Sequence, residues 1–315
     1  MSDRAITACI PYYSCRRYVR RAVESLLRQT HRDLTVLVIN DGDAVPPWDL
    51  LAGINDPRLV RFDLAANHGP YFAIAVAAGA AATPYLLIQD ADDWSDPRRA
   101  ATLLDLLRRE GADLAVSAQA QYAETPRSGK VVETRWVQTS TSAMPPGPFI
   151  LTRALGPEYA YRVPHMGLYR TEALRRIGGY YGGFRVGYDT LLTNLILMTG
   201  GVSHTPLSLY HRLMRPESLT HSPHTGTRSA EAKAAHHAIA ELYRDCFQNY
   251  SNYLSGVLDS KQLGEAIRGI VSRNVTPADA AALTWETQRL RRVLRGRITQ
   301  TPSLAPGEAL RSAAL

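Results

Sequence analysis

Tyr85-Leu86-Leu87-Ile88-Gln89-Asp90-Ala91-Asp92-Asp93 joins an apolar run directly to an acidic turn. The four residues Tyr85 to Ile88 have the length and composition of a strand buried on both faces. Asp90, Asp92 and Asp93 then place three carboxylates within four residues. Such a group repels itself unless a cation or hydrogen-bond donors hold it. Hard divalent cations take carboxylate oxygens, and Mg²⁺ shares its shell with substrate phosphates. The alternative is helix capping. Asp96-Pro97 predicts the N-cap and first residue of the next helix, with Asp93 as an assistant.

The pattern repeats upstream. Ala5 to Ile10 reads as a strand ending at Pro11. Val19, Ala22, Val23, Leu26 and Leu27 fall on one helical face. Leu34 to Ile39 is a second buried strand, stopped by Asn40-Asp41-Gly42. Leu59 to Phe62 is a short strand, and Pro70 to Ala82 a helix. Ala100, Leu103, Leu104 and Leu107 make the stripe of the helix after Asp96, and Leu114 to Ser117 is another strand. Alternation of this kind predicts an α/β fold: a mostly parallel central sheet flanked by helices. Ligands of such sheets bind at the carboxyl ends of the strands, where both acidic clusters fall.

Beyond Tyr122 the pattern is less regular, with Met144-Pro145-Pro146-Gly147-Pro148 read as a loop. Ile177-Gly178-Gly179 and Gly182-Gly183 bracket a flexible stretch. From Ser229 the chain turns helical, so residues 1–228 are read as a catalytic unit (1–118 and 119–228 as its halves). Residues 229–298 are read as a helical C-terminal extension and 299–315 as a disordered tail.

Composition excludes several classes. The 315 residues are 45% hydrophobic and 21% charged, ordinary globular material. No apolar run reaches the roughly 18–20 residues that span a bilayer, and the N-terminus lacks a signal-peptide pattern. A cytoplasmic protein is expected. Cys9, Cys15 and Cys246 are an odd number without C-x-x-C, which argues against a disulfide framework. The net charge of +7 comes almost wholly from arginine, since only Lys130, Lys233 and Lys261 are lysine. Without a nucleic-acid motif this excess is read as base composition, and it suits a diphosphate-bearing substrate.

An ordered set of motifs resembles the family 2 glycosyltransferases of GT-A fold. Ile10-Pro11-Tyr12-Tyr13 looks like the family's strand-Pro-x-Tyr. Val38-Ile39-Asn40-Asp41-Gly42 looks like its strand and D-G turn. Asn67-His68-Gly69 resembles N-x-G, and Asp90-Ala91-Asp92-Asp93 resembles D-x-D-D. Ile177-Gly178-Gly179-Tyr180 with Gly187-Tyr188-Asp189 is similar to G-G-(F/Y) followed by G-E-D, with Tyr188 in place of Glu. Leu209-Tyr210 to Ser218-Leu219-Thr220 is similar to the family's closing segment. The A-R-N that often follows N-x-G is replaced by Ala73-Ile74-Ala75.

The resemblance implies an inverting, metal-dependent transferase that moves a sugar from a nucleotide diphosphate, with a UDP-sugar expected, to an acceptor hydroxyl. It implies donor contacts at Pro11, Tyr13, Asp41, Asn67, Gly69, Asp90 and Ala91. Asp92 would bind Mn²⁺ or Mg²⁺, with His211 as a candidate further ligand. Asp93 would support that site from behind. Arg215, with Arg212, would reach the diphosphate, and Asp189 would be the general base. His165, on the acceptor side, and His236-His237 are read as structural. Arg289 to Arg297 is read as the solvated face of a helix packed on the core. The C-terminal helices are a candidate dimer surface. Two other readings stand beside this one: a sugar-1-phosphate nucleotidyltransferase, and a degenerate nucleotide-sugar-binding module. The first lacks its Gly-rich basic loop, because Pro11-Tyr12-Tyr13-Ser14-Cys15 occupies that position.

Overall fold

The computed structural model describes residues 2–124, 131–137, 147–149, 163–215, 218–219, 226 and 229–298. Met144 to Pro146, Thr220 and residues 299–315, read above as part of a loop, of the closing segment and of a tail, lie outside them.

The first half alternates as the sequence predicts: β1 (Ile6–Tyr12), α1 (Arg16–Leu27), β2 (Leu34–Asn40), β3 (Leu59–Asp63), α2 (Pro70–Ala80), β4 (Tyr85–Ile88), β5 (Trp94–Ser95), α3 (Arg99–Glu110) and β6 (Leu114–Glu124). There follow β7 (Val131–Val137), β8 (Gly147–Phe149), β9 (Leu168–Arg170), α4 (Thr171–Arg176), α5 (Tyr188–Thr199) and β10 (Val202–Met214). The chain continues through α6 (Ala230–Leu254), α7 (Ser260–Ser272) and α8 (Pro277–Ile298).

One sheet runs in the order β3-β2-β1-β4-β9-β6-β10-β5. Its first four strands are parallel. Past β4 it becomes mixed: β9 is antiparallel to β4 and β6, β10 is parallel to β6, and β5 is antiparallel to β10. The chain steps outward from β1 through β2 to β3, then returns to the other side of β1 for β4. The carboxyl ends of β1 and β4 therefore flank a switch of direction, where a crevice opens.

β1 runs two residues further than its proline suggested. Pro11 pairs in register with Ile39, and Tyr12 accepts the amide of Asp41. Cys9 accepts from Gln89 on the β4 side, so by alternation Pro11 also faces β4. There β4 has already ended at Ile88, and no ladder partner misses the absent N–H. The helix expected from Asp96 starts at Arg99 instead. The carbonyls of Asp96 and Pro97 are taken by Gln29 and Thr30, and the Asp96 carboxylate closes a local turn on the amide of Arg98. Gly147 and Pro148, expected in a loop, belong to β8 and pair with β10.

The predicted stripes are the buried ones: Val19, Ala22, Val23, Leu26 and Leu27 on α1, and Ala100, Leu103, Leu104 and Leu107 on α3. α2 is apolar all round, and its residues from Tyr71 to Ala78 are all buried. The sheet covers one side and α8 the other. At Gly79 the approach is close enough that an added Cβ would lie 2.9 Å from Thr287. Ile239, Tyr243, Phe247, Ile267, Ile270 and Leu290 join one core cluster with α2, β4 and α5, so the C-terminal helices share the core of the sheet. Cys9, Cys15 and Cys246 are free and buried.

Candidate active site

Asp90, Asp92 and Asp93 converge just past β4, with one oxygen of each within 4.8 Å of the others. Nothing apolar shields them from one another, so each needs a partner. Asp93 is buried. It accepts the Tyr210 hydroxyl at 2.6 Å and the Leu213 amide at 2.7 Å. Burial, with Asp92 and Asp90 adding, still pushes its carboxyl well above the ordinary range. Asp92 receives Arg215, whose Nε and Nη2 both lie 2.7 Å from Oδ2. Arg21 donates to the Asp92 carbonyl at 2.8 Å and stacks over Trp94 at 3.9 Å, which fixes the turn from the α1 side.

Asp90 is the carboxylate for which no hydrogen-bond donor is recorded among the described residues. Burial, then the charge of Asp92, raises it to about 7. Its backbone amide donates to the Tyr210 oxygen at 3.1 Å. Beneath the turn lies Arg99, wholly buried. It donates to the carbonyls of Ile88 and Met166 and to Ser95 Oγ, and sits 4.5 Å over the Tyr210 ring. Desolvation lowers its guanidinium to about 10. Asp93, Tyr210 and Arg99 thus form the buried floor beneath the turn.

His211 is not part of the converging group. Side chains alternate along β10. Tyr210 and Arg212 act on Asp93 and Asp90. His211 turns to the other face, where it stacks on Trp94 at 5.4 Å and meets Tyr122 edge-on.

The second acidic residue sits past β2. Asp41 is 2% exposed, and each of its oxygens accepts a backbone amide: His68 at 2.9 Å and Gly69 at 2.8 Å. Asn67 donates back to the Asp41 carbonyl at 2.9 Å. Burial raises Asp41 to about 6 against the pull of those amides. The motifs D-G and N-x-G thus form one interlocked turn pair. Gly42, at φ +68°, lies so close that a Cβ would stand 2.4 Å from Ala66. Gly69, at φ +93°, starts α2. Arg185 reaches over from the loop before α5 to the Asn67 side chain.

α8 braces the same turn from behind. Glu286, 2% exposed, accepts the Ala65 amide at 2.8 Å and pairs with Arg289. Asp279 lies 3.5 Å from His68. Arg289 also stacks over Phe62 and Trp285, and Arg291 donates to the Gly79 carbonyl. Tyr13 is 53% exposed at the mouth of the crevice, beside buried Pro11 and Tyr12.

Asp189 stands in the first turn of α5. Tyr71 donates to its Oδ1 at 2.9 Å, and His165 Nε2 lies 3.7 Å from Oδ2. Its charge adds to the rise in Asp90, so the two carboxylates lie within electrostatic reach of each other. Tyr188, where the resembled motif has Glu, points instead into the core, fully buried against Phe184 and Tyr71. Ala73, Ile74 and Ala75, at the place of A-R-N, are also buried.

Residues 7–178 match the family model described as Glycosyl transferase family 2. The chain belongs to glycosyl transferase family 2. The succinoglycan biosynthesis protein ExoO of Rhizobium meliloti is 33% identical over 111 residues, covering 35% of this chain and 32% of that protein. A chondroitin synthase of Escherichia coli is 34% identical over 107 residues, 33% of this chain and 16% of that protein. These matches span a third or less of the curated relatives. Among solved structures, S. aureus TarS (residues 1–349, in complex with UDP-GlcNAc) superposes with a TM-score of 0.58 at 14% identity, over 94% of this chain and 92% of that one. That likeness supports the GT-A fold. Among the described residues no helix is long and apolar enough to cross a membrane.

Proposed function

We propose that this family 2 glycosyltransferase inverts the anomeric centre of a nucleotide-diphosphate sugar, a UDP-sugar first, as it transfers the sugar to an acceptor hydroxyl. The observation that carries this reading is the converging Asp90, Asp92 and Asp93 on one crevice with Asp189. The TarS structures with UDP and with UDP-GlcNAc support the choice of nucleotide.

The donor set suits a hard divalent cation such as Mn²⁺ or Mg²⁺. It offers only carboxylate oxygens, and burial with the charge of Asp92 raises Asp90 to about 7 against the pull of Arg212 and Arg215. Asp90 and Asp92 would hold the ion, with Asp93 fixed behind them by Tyr210 and Leu213. Bound there, it would supply Lewis-acid stabilisation of the departing diphosphate. Arg215 and Arg212 add positive charge on the same side. Pro11, Tyr13, Asn67 and the braced Asp41 turn form the wall for the nucleoside.

Asp189 takes the proton from the acceptor hydroxyl. The freed oxygen forms its bond to the anomeric carbon as the carbon–oxygen bond to the diphosphate breaks, and the nucleoside diphosphate leaves with the electron pair. One base suffices for a single in-line displacement. Tyr71 holds that carboxylate in one orientation.

The acceptor class we infer is a growing cell-surface polysaccharide, on the strength of the succinoglycan and chondroitin relatives. Calorimetric titration of UDP, GDP, dTDP and CDP, with Mn²⁺ and then with EDTA, tests the donor site. UDP binding that EDTA abolishes is the expected result. Absence of binding by all four would refute the reading.

A further inference from the structure

His165 sits just before β9, and its backbone is tied down by Tyr169, whose hydroxyl donates to the His165 carbonyl at 2.8 Å. The imidazole lies between two polar partners: Nδ1 is 2.9 Å from the Tyr180 hydroxyl and Nε2 is 3.7 Å from Asp189 Oδ2. Its side chain is only 23% exposed. A histidine held at both ring nitrogens has its tautomer set by those partners. Tyr180 is fully buried, and burial raises its phenol well above the ordinary range, so it keeps its hydrogen. The Nε2 side of the ring faces the Asp189 carboxylate, which favours the tautomer with its hydrogen on Nε2 and leaves Nδ1 to accept the Tyr180 hydroxyl.

We propose that His165 is a positioning residue for Asp189: with Tyr180 at its Nδ1, its Nε2–H is directed at Oδ2 from 3.7 Å and steers that oxygen electrostatically, while Tyr71 holds Oδ1 by a hydrogen bond. The proposal rests on Asp189 being the base. A hydrogen bond on one oxygen and a neutral N–H directed at the other set the carboxylate's rotation without neutralising it, which leaves a lone pair of Oδ2 for an acceptor hydroxyl. A cationic partner would favour the carboxylate too strongly and weaken it as a base. Burial lowers the His165 imidazolium, as does Arg212, against the opposing pull of Asp189, so the ring is neutral at pH 7. The groups around Asp189 are Tyr71 from α2, His165 with Tyr180 and Tyr169 behind it, Asp90 from the end of β4, and Arg212 from β10.

Nitrogen-15 spectra of the histidine rings in the full chain, with the His165 signals assigned by loss in His165→Phe, should show a neutral Nε2–H tautomer. In Tyr180→Phe that tautomer should mix with the Nδ1–H form. Carboxyl carbon-13 titration of Asp189, assigned through Asp189→Asn, should show proton affinity higher by on the order of threefold to tenfold in His165→Phe, which keeps the ring volume and loses the donor. His165→Gln, whose amide still donates, should restore most of the wild-type titration. An Nδ1–H tautomer, or an Asp189 titration unmoved in His165→Phe, would overturn the proposal. Neither measurement needs a substrate, so failure here is distinct from failure of the base assignment, which the turnover of Asp189→Asn decides.

Discussion

Tyr210→Phe removes one oxygen from the floor of the site and leaves the ring over Arg99 in place. That oxygen makes two hydrogen bonds: it donates to Asp93 at 2.6 Å and accepts from the Asp90 amide at 3.1 Å. The first involves a carboxylate and is worth about 2 kcal/mol; the second, between neutral groups, is worth about 1 kcal/mol. No water replaces them at a side chain this buried. The expected loss is therefore about 3 kcal/mol of stability. At roughly 2.1 cal/mol/K of unfolding entropy per residue, a chain of this length should melt about 5 °C lower. The same change loosens the 90–93 turn, so Mn²⁺ measured by calorimetry in the presence of UDP should bind on the order of tenfold more weakly. Thermal unfolding and that titration together make the test. A Tm within one degree of wild type with unchanged Mn²⁺ affinity would show that Tyr210 does not hold the carboxylates, and the account of the floor would fail.

Asp189→Asn should cut turnover by roughly 10²–10⁴-fold while UDP affinity stays within a factor of two; unchanged turnover removes Asp189 from its role. Asp41 has its folded pKa raised from 3.8 to about 6, so it favours the fold below pH 4 and loses that contribution as pH rises through 6. The loss is roughly 3 kcal/mol at 1.36 kcal/mol per pKa unit. Denaturant unfolding between pH 4 and 8 should show wild type and Asp41→Asn drawing closer as pH rises, and a constant gap would contradict the assignment. Gly42→Ala puts a Cβ into the Ala66 backbone at a positive φ. It should cost at least 2 kcal/mol (an order-of-magnitude figure) and lower UDP affinity; a variant as stable as wild type would show that the two turns do not interlock.

The parallel half of the sheet was legible because each of its strands is a local apolar run ended by a local turn signal. Asp41 and Asp90 to Asp93 were legible for the same reason: strand ends of this kind put their next residues at the crevice whatever packs around them. What escaped depends on partners distant in the chain. Pro11 reads as a terminator until one knows that β4 stops beside it. Asp96 reads as a cap until Gln29 and Thr30 take the carbonyls around it. The mixed half, from β9 onward, follows from pairings across long separations that no periodicity announces. His165 looked structural because its partner Asp189 lies in a different element, and Glu286 gave no signal at all as one acid among several on an amphipathic helix. His211 stands between Tyr210 and Arg212, and its stacking on Trp94 follows from a strand pairing that no local pattern announces.

The hold of Glu286 on the Ala65 amide crosses 221 residues of chain. During synthesis from the N-terminus, the early strands and the Asp41 turn emerge long before the helix that seals them. Domains form as their segments leave the ribosome, so a partly made chain would carry the sheet with that amide bare and Phe62 without its arginine cover. The Asp41 turn is thus among the last parts of the fold to be braced, although its residues are among the first to be made.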